Sequence, residues 1–131
     1  MVVVDTSAVM AVLLNEPERR QIERRMGDGS TCVMSSATFV ELGLVAEGRG
    51  GRHASAIVLE FLDRCQVEVL PLDGAMARAA VAGWRQYGKG RHPAGLNLGD
   101  CFAYGLAAEL GAPLLYVGDD FSQTDVVSAL A

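Results

Sequence analysis

The chain has 131 residues, half of them hydrophobic and 21% charged, and a formal net charge of −5. This length builds one domain with a real core and not two, so residues 1–131 are expected to form a single unit, and the composition is that of a folded soluble domain. The acidic balance excludes a simple basic module for duplex DNA, which depends on many cations to neutralise phosphates, although it leaves room for a nuclease whose metal ions supply the positive charge.

Val2–Val4 reads as a short buried parallel strand. A buried helix follows from Ser7 to Leu14, stopped by Asn15-Glu16-Pro17, and Pro17 is placed to open a second helix reaching about Met26. That helix is mostly polar, with Ile22 and Met26 on one face and Arg19, Arg20, Arg24 and Arg25 interleaved with glutamates, the pattern of a solvated face. Thr31–Ser35 is a second strand. Ser36 is the expected cap of a helix from Ala37 to Glu47. Gly48, Gly50 and Gly51 predict a turn, and another helix runs from about His53 to Cys65. Val67–Leu70 is a third strand, closed by Pro71. Asp73 or Gly74 starts a helix reaching about Tyr87, in which Trp84 and Tyr87 are expected to pack in the core or against a second subunit. Gly88 to Gly95 is a glycine-rich, basic loop. Asn97 caps a helix to Leu110, with Gly111 and Pro113 as its stop. Leu114–Val117 is a fourth strand, and the last ten residues are too few for more than one helical turn or a short strand.

Strands alternating with helices predict an α/β fold with a mainly parallel sheet of four to five strands and helices on both faces. In such sheets function gathers beyond the carboxyl ends of the strands. No apolar run approaches the roughly 18–20 residues of a membrane helix. Residues 1–14 carry Asp5 within their apolar run and lack a basic leader, which argues against a signal peptide. Cys32, Cys65 and Cys101 are odd in number and far apart, so they are expected to be reduced thiols in a cytoplasmic protein.

Four acids stand out by position. Asp5 ends the first strand, and Asp119 ends the fourth with Asp120 beside it. Glu41 is the sole charge in "ATFVELGLVA" and Asp100 the sole charge in "NLGDCFAYGLAA". Each has a structural reading alone: Asp5 as a helix cap, Glu41 as a solvent-edge or capping-box residue, Asp100 as a first-turn acid, Asp119 as a turn residue. Asp5, Glu41 and Asp119 follow strands directly and so can converge at one edge of the predicted sheet, whereas Asp100 is reached through a loop. Several carboxylates in one crevice repel one another unless a cation compensates, and no lysine lies near them: Lys89 stands alone beside ten arginines. An all-oxygen set suits Mg²⁺ or Mn²⁺ better than zinc, and such ions activate water for in-line attack on phosphorus.

Three nucleotide or phosphate families fail on single positions. A haloacid-dehalogenase-type phosphatase needs an aspartate where Ser7 stands. A response-regulator receiver needs a lysine absent from "LLYVGDD", and a P-loop needs Ser or Thr after a Gly-Lys pair, where Lys89 is followed by Gly90. By contrast, "VVVDTSAV", "SSATFVEL", "LNLGDCFAYGLA" and "LLYVGDDFSQTDV" resemble, in order and spacing, the four motifs of the PIN-domain ribonuclease family, and more narrowly of VapC-type toxins of bacterial toxin–antitoxin pairs.

That resemblance implies a PIN-like three-layer fold and a Mg²⁺-dependent ribonuclease, with Mn²⁺ as a substitute. Asp5 and Asp100 would be the main metal ligands. Glu41 and Asp119 (or Asp120 in its place) would bind a second metal or orient its waters. Thr6 or Ser7 would hydrogen-bond Asp5, a water or a substrate phosphate. It further implies an RNA substrate, a cognate VapB-type antitoxin that lies along a groove and presents an arginine to the acids, a homodimer, and no membrane association. Arg49, Arg52 and His53, and Lys89, Arg91 and His92, are the basic loop residues available to grip RNA phosphates. A non-catalytic PIN-like binding module, or another metal-dependent phosphodiesterase or phosphatase using the same carboxylates, is the alternative.

Overall fold

In a computed structural model, which describes residues 1–130, four strands and five helices follow one another as β1 (Val2–Val4), α1 (Thr6–Leu13), α2 (Arg19–Met26), β2 (Cys32–Ser35), α3 (Ser36–Arg64), β3 (Glu68–Leu70), α4 (Gly74–Tyr87), α5 (Leu98–Leu110) and β4 (Leu114–Leu115). The strands form one parallel sheet in the order β3-β2-β1-β4. β1 is central, with Val3 opposite Val33 on one side and Leu114 on the other. A further parallel bridge joins Leu114 to Ser128, so the end of the chain adds a rudimentary fifth strand.

Strand side chains alternate between faces, and the three valines of β1 show why a run of them is needed. Val2 and Val4 join Met34, Leu115 and the inner faces of α1, α2 and α3, among them Val9, Ile22, Leu42 and Phe61. Val3 points the other way, with Val33 and Leu114, into a second core completed by Tyr87 of α4, Tyr104 and Leu106 of α5, and Leu96 of the loop between them. A strand buried on both faces carries no polar position until it leaves the sheet, and the first residue past β1 is Asp5.

Several boundaries differ from the sequence expectation for identifiable reasons. Ser35, not Ser36, caps α3 by accepting from the Ala37 amide, while the Ser36 hydroxyl accepts from Leu72 N–H instead. Gly48 and Gly50 do not make a turn. The helix runs through them and breaks at Gly51 alone, where φ is 70°, a left-handed value that glycine adopts without penalty. Pro17 does not open α2, which begins at Arg19 after a turn. β4 stops at Leu115 because the Val117 N–H donates not to a strand but to Ser7 Oγ, at 3.0 Å.

α4 and α5 form a tight antiparallel hairpin. A Cβ on Gly105 would lie 2.8 Å from Ala80 N and Met76 O, and one on Gly83 would run into the Tyr104 ring. No helix among the described residues is long and apolar enough to cross a membrane.

Candidate active site

The site lies where β1 and β2 end and where α1, α3 and α5 begin. Asp5 caps α1: the Ser7 amide and hydroxyl donate to its Oδ2 at 3.0 and 2.7 Å. Since Ser7 Oγ also accepts from Val117 N–H, one hydroxyl ties the carboxylate of β1 to the end of β4. Thr6, the other hydroxyl expected near Asp5, turns instead to Glu41 and donates to its Oε1 at 2.6 Å. Asp100 is the fourth residue of a reciprocal cap on α5, donating its N–H to Asn97 Oδ1 at 2.8 Å and accepting the Asn97 N–H on Oδ2 at 3.0 Å. Capping and site placement therefore coexist in Asp5 and Asp100, because a carboxylate has two oxygens and more lone pairs than a cap uses.

Asp5 and Asp100 are both buried. Burial pushes the Asp5 carboxyl up to about 6, against the pull of the Ser7 bonds and with the Glu41 charge adding to the rise. Burial likewise pushes Asp100 up to about 7, opposed by the Asn97 amide and reinforced by the charges of Asp120, Asp5 and Glu41. The three isolated acids of the sequence thus sit close enough to repel one another. Of the tandem pair, it is Asp120 whose charge reaches Asp100. Both are exposed, and Asp119 uses its backbone carbonyl to accept from Ser122 N–H and Oγ in a turn.

Neither ion pair found among the described residues, Arg19–Glu23 and Arg25–Asp28, involves these acids. Nor do three His, Cys, Asp or Glu side chains there converge into a ready cation cage. The donor set nevertheless fits a hard divalent cation. It is all oxygen, partly desolvated, mutually repulsive and without a cationic side chain of its own.

The basic residues expected to grip RNA fall in two places, along α3 and in the loop between α4 and α5. Arg49 lies along α3 beyond Glu41, about 12 Å away by helical rise, and Arg52 follows the break at Gly51; Arg49 rims an apolar cavity of about 250 Å³ with Met10, Leu13, Ala46 and Ile57. Lys89 is exposed in the loop between α4 and α5. Arg91 lies over the Trp84 ring, 4.4 Å from its centroid, a cation–π contact. His92 meets the edge of buried Tyr87 and accepts from Ala94 N–H through Nδ1. Tyr87 is therefore a core residue as expected, while Trp84 is partly exposed beside a second apolar cavity, of about 410 Å³, with Val81, Leu98 and Phe102.

One residue of the site had no sequence signal. Gly99, between Leu98 and Asp100, lies directly under the Glu41 carboxylate, and a Cβ there would overlap Glu41 Oε2. A glycine beside a motif acid reads as neutral in sequence, since what it touches lies on another helix.

A cavity of about 790 Å³ lies elsewhere, at the opposite edge of the sheet, lined by Arg19, Thr31, Cys32, Arg64 and Cys65 and remote from the acids. The three cysteines are free thiols. Burial raises the pKa of each, most in Cys101, which is pushed up to about 11.

The family model for the PIN domain matches residues 2–127. The chain is 43% identical over 126 residues to "Ribonuclease VapC30" of Mycobacterium tuberculosis, covering 96% of each. It is 42% identical over 126 residues to "Ribonuclease VapC" of Mycolicibacterium smegmatis, covering 96% of this chain and 98% of that one. In fold it resembles the crystal structure of Mycobacterium tuberculosis VapC20, described as a sarcin-ricin loop cleaving toxin, with a TM-score of 0.76 at 17% identity over 97% of each chain. It also resembles a chain of a toxin–antitoxin complex from Klebsiella pneumoniae, with a TM-score of 0.67 at 17% identity over 98% of each. A family match along nearly the whole chain, joined to relatives well above 30% identity, places the protein: it belongs to the PIN-domain family and, within it, to the VapC ribonucleases.

Proposed function

We propose that Asp5, Glu41 and Asp100, with Asp120 at the rim, form the hydrolytic centre of a ribonuclease that uses Mg²⁺, or Mn²⁺ in its place, to cut RNA phosphodiester bonds. The observation that carries this reading is the burial of the Asp5 and Asp100 carboxylates with no cationic side chain paired to either. Asp5 and Asp100 would hold the divalent ion, which would supply an activated water and offset charge on the phosphorus. The chain's own residues prepare the place for it. Ser7 fixes Asp5 by Oδ2, Thr6 fixes Glu41 by Oε1, and the Asn97 cap fixes Asp100, so three carboxylates from three helix starts are held before substrate arrives. Preorganised charge of this kind costs no reorganisation during the reaction.

Asp5→Asn keeps the cap on α1 but removes a ligand charge. RNA cleavage is expected to fall by about two orders of magnitude or more, given several kcal/mol of metal stabilisation, with the circular-dichroism spectrum unchanged. Full activity in a folded Asp5→Asn protein would overturn the assignment. Cleavage assays with RNA, DNA and a small phosphate ester, each with and without Mg²⁺, separate an RNase from a DNA nuclease, a phosphatase and a non-catalytic binding module.

The names of the curated relatives support the further reading that this is the toxin of a VapBC-type pair, neutralised by a VapB-type antitoxin. Exposed Leu14, just past α1, and Ile57, on α3, line the cavity that Arg49 rims, and theirs is the surface we assign to that partner. Exposed Val81, Trp84 and Leu98, on α4 and α5, are the surface we assign to a second copy of the chain.

A further inference from the structure

Glu41 projects from the second turn of α3, and its carboxylate is confined by two other helices. At the α1 side Thr6 Oγ1 donates to Oε1 at 2.6 Å. At the α5 side Oε2 sits on Gly99, where an added Cβ would overlap it and stand 2.5 Å from Cδ. Gly99 has no left-handed backbone angle to explain its glycine, unlike Gly51 or Gly111. It occupies the first turn of a helix, where glycine costs stability relative to alanine. Space, not conformation, is what this position provides. The place it opens is favourable for an acid, because the amides of a helix N-terminus carry partial positive charge.

We infer that Gly99 is a positioning residue of the hydrolytic centre. By lacking a side chain it lets the Glu41 carboxylate seat against the first turn of α5, where Thr6 locks its other oxygen and holds it beside Asp5 and Asp100. The inference rests on the reading of these acids as a metal-binding centre. It adds that the geometry of Glu41 is set from two sides by residues that need not touch metal or RNA.

The test is a cycle of Gly99→Ala, Glu41→Asp and the double variant, with Gly43→Ala as control. Gly43 lies two residues past Glu41 on α3, and a Cβ there meets nothing within 4 Å. The primary readout is Mn²⁺ affinity by electron paramagnetic resonance, followed by RNA cleavage. Gly99→Ala is expected to weaken Mn²⁺ binding by about 10–100-fold, the usual effect of losing a supporting contact, and Gly43→Ala to leave it unchanged. Glu41→Asp should weaken binding in the wild-type background yet strengthen it about tenfold or more in the Gly99→Ala background, because the shorter side chain clears the added methyl group. Thr6→Val, which frees the same carboxylate without adding bulk, should reproduce the loss even where Gly99→Ala fails to fold. Equal Mn²⁺ affinity of Gly99→Ala and wild type, or the same loss from Glu41→Asp in both backgrounds, overturns the role of Gly99. A wild-type chain that binds no Mn²⁺ overturns instead the metal reading beneath it.

Discussion

At the scale of the residue, two carboxyls decide how this protein responds to pH. Asp5 and Asp100 are raised from an ordinary 3.8 to about 6 and about 7, chiefly by burial. The folded chain therefore keeps protons that the unfolded chain releases once pH passes about 4. Their contribution to stability is complete below that point and is lost as pH climbs through 6 and 7. A cation that binds the ionised forms opposes the trend. Melting temperatures in EDTA should fall between pH 5 and 8, those in Mg²⁺ should fall less, and the gap should widen with pH. Parallel curves from scanning calorimetry would contradict this. Asp120→Asn should lower the Asp100 titration, read by carbon-13 NMR, where Asp119→Asn should not. Asp5, Glu41 and Asp100 were legible in the sequence because each is a lone charge in an apolar run, and burying a charge demands a reason. The tandem Asp119-Asp120 was not legible. Both follow Gly118, whose φ of 99° redirects the chain, and only the fold shows which of the two charges reaches Asp100.

At the scale of the element, local chemistry wrote most of the helix ends. Asp5, Asp73 and Asn97 cap the helices they precede, and Gly111 closes α5 in a left-handed conformation. Where the expectation of a turn over Gly48–Gly51 failed, the reason is that glycine inside a helix is a cost of about 1 kcal/mol and not a stop. Tertiary packing of Leu42, Ala46, Val58 and Phe61 on one core holds both limbs of α3 in place around the single kink. The closeness of α4 and α5 was equally hidden, since it depends on Gly83 and Gly105 meeting a neighbouring helix. Gly105→Ala should destabilise the fold by about 1–3 kcal/mol through overpacking. Gly43→Ala, helical and unobstructed, should stabilise it by about 0.5–1 kcal/mol. Urea unfolding of both variants measures the contrast.

At the scale of the whole molecule, alternating strands and helices made the parallel sheet and its layers foreseeable, and the central place of β1 follows from three valines that must be buried on both faces. The outer surfaces were less readable, because exposed apolar residues are ordinary one at a time and informative only as a patch. If Val81, Trp84 and Leu98 cover one another across a dimer, Val81→Glu should convert the sedimenting species to monomer at micromolar concentration while leaving the fold intact. An unchanged sedimentation coefficient would send that surface to another use. The position of β1 also has a consequence in time. Its neighbours in the sheet are β2, made soon after it, and β4, made almost last, and Asp5 stays without its tie to Val117 until that stretch emerges. At a synthesis rate of roughly 5–20 residues per second, the first acid of the proposed centre waits several seconds on the ribosome for Asp100 and Val117. A chain still being translated is an unarmed one, and a partner present in the cell has that interval to be ready.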